Sequence, residues 1–425
     1  MEIAFDIDGV LTDYEWFLNT YGKKYLKKRR MNHILRYPGK YRFRERFDCS
    51  EKTERRFFTR YLLWYARKFP VRENAATVMK KLRQEGHGIH IITARALTDR
   101  TDLTGRLMRY LLKKWLKQND IPYDSISYVP VKQGSMEKER ISRKKGIDVF
   151  VEDDPENIEA LRGRCRVICM DASYNSCVKE VERTVDFGGI YQIIHERDGR
   201  QLRYRDYITL DKEEQKKYLE QLRHYFMGQP FDEKFKADYE HFIIHAVVPV
   251  SWFLRRCFNI QIEGGHFLRQ KKPVIYVCNH RSAMDIILAY CILDDIPARF
   301  LIKREVRWYQ FLQIKCGTIF VVREDTRSRQ TAKNSMLHTL MHGGNILLFP
   351  EGTRNRTKQP LLPFHISAVQ MAQITGCPVV PMVFKYNQRK CRVYIDHPIY
   401  VGEEDDLNVI NDCIRQNMCQ IFEKK

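Results

Sequence analysis

Short apolar runs alternate with stretches of helical spacing along this chain of 425 residues, twice over, on either side of a charge-dense interval. No other feature constrains the fold as much. A strand buried on both faces reads as a continuous apolar run, and strand–helix–strand order builds a parallel sheet covered by helices on both faces. In the first half, Glu2–Phe5, Ile89–Ile92, Val149–Val151 and Arg166–Met170 read as strands, with helical patterns such as Ala75–Glu85 and Leu103–Gln118 between them. In the second half, Val274–Cys278, Thr318–Val322, Ile346–Phe349, Val379–Phe384 and Arg392–Ile395 read as strands, and Ala283–Leu293, Arg329–His342 and Ile366–Thr375 as helices. The prediction is an α/β protein of two domains, residues 1–195 and 239–425, each of ordinary domain size.

Two segments interrupt the alternation. Tyr14 to Phe69 is aromatic and basic without a strand signal, and reads as a helical insertion over about residues 14–70. Residues 196–238 are dense in charge, with DKEEQKKYLEQLRHYF the clearest helix. They read as a helical connector; a surface helix belonging to either domain is the alternative.

The net charge of +21 fits an anionic partner, either nucleic acid or a membrane surface, or else basic residues that simply coat a soluble surface. No nucleic-acid module is visible, so no nucleic-acid partner is expected. Met1 to Val10 read as a buried strand and turn and not as a signal peptide. The longest apolar stretch, His241–Leu254, contains Pro249 and falls short of the ~20 residues needed to span a bilayer. Trp252, Arg255 and Arg256 at its end suit a helix lying in a headgroup region, and a core helix is the equal alternative. The 12 cysteines are scattered without a C-x-x-C pair, which fits incidental thiols in a reducing compartment.

In VIYVCNHRSAMDIILAY a buried strand ends at Cys278, a polar turn follows, and Ser282 can cap a helix. His280 then stands at the strand's carboxyl end, where open α/β sheets bind ligands, and Asp285 lies in the first helical turn. A neutral histidine whose other ring nitrogen is held by a carboxylate can take a proton from an attacking alcohol.

NHRSAMD resembles the N-H-x-x-x-x-D block of the glycerolipid (1-acyl-sn-glycerol-3-phosphate type) acyltransferases. GTIFVVRED, with Gly317, Phe320 and Arg323, resembles that family's second block. FPEGTRN, with Phe349, Pro350, Glu351, Gly352, Thr353 and Arg354, resembles the third, and VVPMVF around Pro381 the fourth. All four stand in family order within about one hundred residues, a normal span for one α/β domain. The resemblance implies an O-acyltransferase of phospholipid biosynthesis that makes phosphatidate from a lysophosphatidate-type acceptor, with acyl-CoA or acyl carrier protein as thioester donor. By position His280 is the base and Asp285 its partner, while Arg323, Glu351, Gly352, Thr353 and Arg354 form the substrate and phosphate site. Such an enzyme is expected at the cytoplasmic side of an anionic membrane, peripheral or monotopic. Phe364-His365-Ile366-Ser367 departs from the family's Phe-Lys-x-Gly stretch, which bears on the acceptor's identity.

The chain opens MEIAFDIDGVLTD, so a strand delivers Asp6 and Asp8 to one side of its carboxyl end, where two carboxylates call for a cation such as Mg²⁺. IHIITAR ends a strand at Thr93, MEKERISRKKGID contains Lys138, and DVFVEDDPEN brings Glu152, Asp153 and Asp154. This order resembles the haloacid dehalogenase-like phosphohydrolases, most nearly the 5′-nucleotidase-like members, and ICMDASYN with Tyr174 and Asn175 is similar to their tail. The resemblance implies a Rossmann-like domain with a helical cap. Asp6 would be the nucleophile and Asp8 the acid and base. Thr93 and Lys138 would hold the phosphoryl group of a phosphate ester, with Asp6, Asp8, Asp153 and Asp154 around Mg²⁺. Lys132, Lys144 and Lys145 are rivals to Lys138. A two-activity enzyme is the reading; a non-catalytic regulatory first domain, or a nucleotidase or phosphatase as the main activity, are the alternatives.

Overall fold

The computed structural model describes residues 1–195, 210–232, 252, 259–282, 284–293, 296–303, 317–387 and 390–423. The chain divides into two compact units, Met1–Gln201 and Leu202–Lys425.

The first unit is built on a six-stranded sheet in the order β3-β2-β1-β4-β5-β6. The strands are β1 Glu2–Phe5, β2 Gly88–Thr93, β3 Ser125–Tyr128, β4 Val149–Glu152, β5 Arg166–Met170 and β6 Glu182–Thr184, and every pairing is parallel. Alternate residues of β1 go to opposite faces. Ile3 and Phe5 pack with helices α4 (Ala75–Gln84), α5 (Leu103–Gln118) and α8 (Phe187–His195). Ala4 faces the cluster that holds Ile158 and Leu161 of α7 (Pro155–Leu161), with Ile141 of α6 (Gly134–Lys145) against it. Both faces are dry, as a parallel sheet requires. The chain leaves β1 toward β2 on one side and β4 on the other, so the crevice for a ligand opens at the carboxyl ends of β1 and β4.

The aromatic insertion folds as α1 (Tyr14–Lys28), α2 (Phe43–Phe47) and α3 (Glu51–Lys68) around a core of Phe17, Phe43, Phe47, Phe57, Tyr65 and Phe69. Arg46 of α2 is fully buried among them. Its guanidinium donates to Lys40 O (2.8 Å), Glu15 Oε1 (2.9 Å) and Asn19 Oδ1 (3.1 Å), and reaches Ser173 Oγ at 3.4 Å. Glu15 in turn accepts from the Ser173 backbone N–H at 2.9 Å, which latches the cap to the loop after β5.

The second unit has a seven-stranded sheet in the order β10-β9-β11-β8-β12-β13-β7. Its strands are β7 Asn259–Glu263, β8 Ile275–Cys278, β9 Ala298–Lys303, β10 Ile319–Val321, β11 Asn345–Leu348, β12 Val379–Asn387 and β13 Lys390–Ile395. Only the β12–β13 pairing is antiparallel. Ile275 and Val277 of β8 face a core that also holds residues of α9 (Lys212–Met227), α11 (Thr326–Met341), α12 (Ser367–Thr375) and α13 (Leu407–Glu423). Tyr276 and Cys278 face the core on the other side, against α10 (Met284–Leu293).

The strands β3, β6, β7 and β9 and the helix α13 were not among the expected elements. In β9 the cause is charge: Arg299 interrupts the apolar run yet is buried, donating to Gly317 O (2.6 Å) and Thr339 Oγ1 (3.0 Å). Within the expected connector, α9 buries Leu219, Leu222, Tyr225 and Phe226 in the core of the second unit, and is therefore part of that unit and no free linker. The segment His241–Leu254 lies outside the described residues except for Trp252. Among the described residues no helix is long and apolar enough to cross a membrane.

Candidate active sites

In the second unit β12 outruns β8. Its register pairs Met382 with Cys278, and β12 then continues to Asn387. Beyond Cys278 the pairing is taken over by a side chain. Asn279 donates through Nδ2 to Phe384 O (3.0 Å) and accepts from Phe384 N–H through Oδ1 (2.7 Å), so its carboxamide stands in for a backbone peptide. This mimicry turns the chain out of the sheet one residue before His280.

His280 Nδ1 lies 2.9 Å from Asp285 Oδ2. An ionised carboxylate accepts only, so Nδ1 carries a proton and donates it to Asp285. The same Oδ2 accepts from the backbone N–H groups of Arg281 and Ser282, both at 2.7 Å, while Oδ1 accepts from the Tyr386 hydroxyl of β12. Ser282 Oγ caps α10 by accepting from Met284 N–H at 3.1 Å. Phe349 stacks on the His280 ring at 4.3 Å between centroids.

Glu351 is buried and braces the turn from the other side. Its Oε1 accepts from His280 N–H and its Oε2 from Leu362 N–H, both at 2.8 Å. Asn355 N–H donates to His280 O at 2.6 Å, a backbone bond that closes the third block onto the first. Burial pushes the Glu351 carboxyl up, against the pull of the two amides it accepts from. Gly352 has φ +66°, and a Cβ there would stand 2.6 Å from His365 Nε2, so His365 covers the turn. Thr353 and Arg354 are exposed beside it. Arg323 is exposed too, but it follows β10, and β11 and β9 lie between β8 and β10. At ~4.8 Å per strand step, it stands on the order of 14 Å along the sheet edge from His280. The fold thus gathers His280, Asp285, Glu351 and Gly352, sets Thr353 and Arg354 at the rim, and holds Arg323 apart.

In the first unit Lys138 is wholly buried between two carboxylates, 2.8 Å from Asp6 Oδ2 and 2.6 Å from Glu152 Oε2. Burial alone would depress its ammonium; Asp6 and Glu152 outweigh that and raise it. The rivals are elsewhere: Lys132 and Lys144 are exposed, and Lys145 donates to Ser125 Oγ at 2.9 Å. Glu152 Oε1 accepts from the Asp153 (3.0 Å) and Asp154 (3.1 Å) amides and so shapes the acidic loop. Asp154 caps α7 by accepting from Glu156 N–H at 2.9 Å. Asp153 Oδ2 accepts from the Tyr174 hydroxyl, and Asn175 Nδ2 donates to Asp153 O at 2.8 Å. Gly9, at φ +92°, lies so close that a Cβ would sit 1.8 Å from Asp153 Oδ2.

Four buried polar atoms of this crevice have no hydrogen-bond partner among the described residues: Asp8 Oδ1, Thr93 Oγ1, Arg95 Nη1 and Asp153 Oδ1. Carboxylate oxygens of Asp6, Glu152 and Asp153 lie within 4.8 Å of one another, close enough to share a metal ion. Burial first, then repulsion from Glu152 and Asp6, pushes the Asp153 carboxyl well up, and burial raises Asp8 and Asp154 as well. Carboxyls held this way fit a divalent cation, which would relieve both effects. Arg95, Glu152 and Tyr386 had no assigned role in the sequence.

Residues 259–385 match the family model described as Acyltransferase, and residues 1–201 match that described as 5′ nucleotidase, deoxy (pyrimidine), cytosolic type C protein. The chain is thus similar to acyltransferases over residues 259–385 and to 5′ nucleotidases over residues 1–201. The chain is 26% identical over 184 residues to the 1-acyl-sn-glycerol-3-phosphate acyltransferase alpha of Bos taurus, covering 39% of this chain and 63% of that protein. It is 30% identical over 171 residues to a lyso-ornithine lipid O-acyltransferase of Pseudomonas aeruginosa, covering 39% of this chain and 62% of that protein. The matches thus span somewhat under two thirds of these relatives' own lengths. The 1-acyl-sn-glycerophosphate acyltransferase PlsC of Thermotoga maritima aligns at 19% identity and a TM-score of 0.32, over 56% of this chain and 95% of that one.

Proposed function

We propose that the acyltransferase domain moves an acyl group from a thioester, acyl-CoA or acyl carrier protein, to the free hydroxyl of a lysophosphatidate-type acceptor at an anionic membrane surface. The observation that carries this reading is the Asp285 carboxylate, which collects His280 Nδ1, two backbone amides and the Tyr386 hydroxyl. So held, His280 presents an unprotonated Nε2. The acceptor hydroxyl gives its proton to Nε2 as its oxygen bonds to the thioester carbon. The C–S bond then breaks, and the leaving thiolate takes that proton back. Asp285 stabilises the imidazolium between the two events. Arg354 and Thr353 at the rim bind the acceptor's phosphate, and Arg323 meets anionic groups further along the same edge. The charge of +21 favours the cytoplasmic, anionic face of a membrane, with peripheral or monotopic attachment.

We further propose that the nucleotidase-type domain hydrolyses a phosphate ester. Asp6, Asp8, Asp153 and Asp154 would hold Mg²⁺, which when bound neutralises phosphoryl charge. Asp6 attacks phosphorus and becomes an aspartyl-phosphate. Asp8 gives a proton to the leaving group and then takes one from the attacking water. Thr93 and Lys138 hold the phosphoryl oxygens, and the unpartnered Thr93 Oγ1 and Arg95 Nη1 support a ligand of that chemistry.

The test is acyl transfer to lysophosphatidate and to glycerol-3-phosphate, side by side with hydrolysis of nucleotides, sugar phosphates and lipid phosphates in Mg²⁺. His280→Ala is expected to abolish acyl transfer and leave hydrolysis; Asp6→Asn is expected to do the reverse. Unchanged acyl transfer in His280→Ala sinks the first proposal. A wild-type chain that hydrolyses nothing in the panel leaves the first domain as a regulatory binding module.

A further inference from the structure

A second cluster of ligating side chains lies in the first unit, at the opposite end of the sheet from Asp6. Glu85 follows α4, His87 immediately precedes β2, and His195 ends α8. Backbone bonds hold the turn that carries the first two: Gly86, at φ +86°, closes α4, its N–H donating to Arg83 O (3.1 Å) and that of His87 to Leu82 O (3.1 Å). Glu85, His87 and His195 each offer one ligand atom, all within 4.8 Å of one another.

The hydrogen bonds around them orient the ligands. His195 Nδ1 lies 2.8 Å from Tyr191 O, and a carbonyl only accepts, so Nδ1 carries the proton and Nε2 can serve as an acceptor. That Nε2 faces Glu85 Oε2 at 3.0 Å. An ionised carboxylate and an imidazole lone pair face each other stably only with a cation between them, either a proton or a metal. Tyr191 Oη donates to the other oxygen, Glu85 Oε1, at 2.7 Å, and so fixes the carboxylate from behind, as outer partners of metal ligands do. Two other cations approach the cluster: Lys81 Nζ at 3.5 Å from Glu85 Oε1, and Met1 N at 3.4 Å from His87 Nδ1. Both meet atoms other than the facing pair, Glu85 Oε2 and His195 Nε2.

Two imidazoles and one carboxylate suit Zn²⁺, which takes nitrogen and oxygen at about 2.0–2.2 Å and accepts a water as fourth ligand. Mg²⁺ prefers oxygen donors and suits the acidic crevice at the other end. We propose that Glu85, His87 and His195 bind one Zn²⁺ ion that ties the last turn of α8 to the turn between α4 and β2. The clamp is separate from hydrolysis and from acyl transfer, because none of its ligands lies near Asp6 or in the second unit.

The test uses the full chain, stripped of metal and titrated with Co²⁺, whose four-coordinate complexes absorb in the visible, and then with Zn²⁺. Wild type is expected to bind about one equivalent with that absorption, and to melt at higher temperature in Zn²⁺. His87→Ala and His195→Ala are expected to lose at least ~10-fold in affinity along with the absorption and the Zn²⁺-dependent shift. Asp153→Asn keeps both, which separates this site from the acidic crevice. No visible band in wild type, or a band that survives in both histidine variants, overturns the proposal.

Discussion

The Tyr386 hydroxyl donates to Asp285 Oδ1, on the side of the carboxylate away from His280. A strand residue thus completes the support of a helix residue that holds the histidine. Removing the donor leaves one carboxylate oxygen buried without it. Tyr386→Phe is expected to lower the kcat of acyl transfer about 10-fold, the effect of one charge-assisted hydrogen bond, with little change in acceptor KM. Steady-state kinetics on both parameters checks it; a rise in KM alone would place Tyr386 in binding.

Asn279 replaces a peptide group in the sheet. Asn279→Ala strands the N–H and C=O of Phe384 in a dry region, which costs about 1–3 kcal/mol for each unsatisfied group. The expected outcome is a clear loss of stability in the second unit, read by denaturant unfolding. Asn279→Asp keeps the acceptor for Phe384 N–H but sets oxygen against oxygen, and is expected to restore little.

Lys138 neutralises Asp6 and Glu152 inside the first unit. Lys138→Met leaves those carboxylates without their cation and is expected to destabilise that unit by about 3–5 kcal/mol, besides abolishing hydrolysis. Adding Glu152→Gln should recover part of the stability and none of the hydrolysis. Thermal unfolding of the single and double variants separates the two effects.

Gly352 lies under His365, with positive φ. Gly352→Ala brings two penalties, backbone strain and a clash with the imidazole. His365→Ala should relieve the clash but not the strain, so the double variant is expected to recover part of the acyl-transfer activity. No recovery at all would place the whole defect in the backbone.

Burial pushes the His338 imidazole down to about 3. The unfolded chain takes up this proton near pH 6.5, while the folded chain does so only near 3, so the unfolded state binds more protons between those values. Stability therefore falls as pH drops below about 6.5, by up to about 1.4 kcal/mol per unit from this group, and the effect is absent above that pH. His338→Gln is expected to flatten that slope when the unfolding of the second unit is followed from about pH 7 to about pH 5.

The strands flanking each site were legible because they are apolar on both faces. Arg166–Met170 matches the observed strand at both ends, and Leu103–Gln118 the observed helix. What escaped the sequence depended on burying charge or on distant partners. Arg299 interrupts the apolar run of β9, and nothing local reveals that Gly317 O and Thr339 would accept its protons. Tyr386 lies one hundred and one positions from Asp285, yet the alternation Met382, Phe384, Tyr386 places it on the same strand face as Phe384. Lys138 could not be separated from its rivals by charge alone. The small residues Gly134 and Ser142, four positions to either side and also buried, mark the helix face on which a lysine can pass inward. Arg323 sits in a matching block, but strand order, invisible in the sequence, places it away from His280.

The latch of Arg46, Glu15 and Ser173 has a kinetic consequence. Ser173 is next to Tyr174, which grips Asp153, so the loop that secures the cap also carries the acidic crevice. Opening the cap breaks together the bonds that join Arg46, Glu15 and Pro38 to Ser173, whatever ester is waiting outside. If that opening is the slow step, turnover depends on solvent viscosity and is indifferent to how good the leaving group is, so that esters of very different reactivity pass through at one common speed.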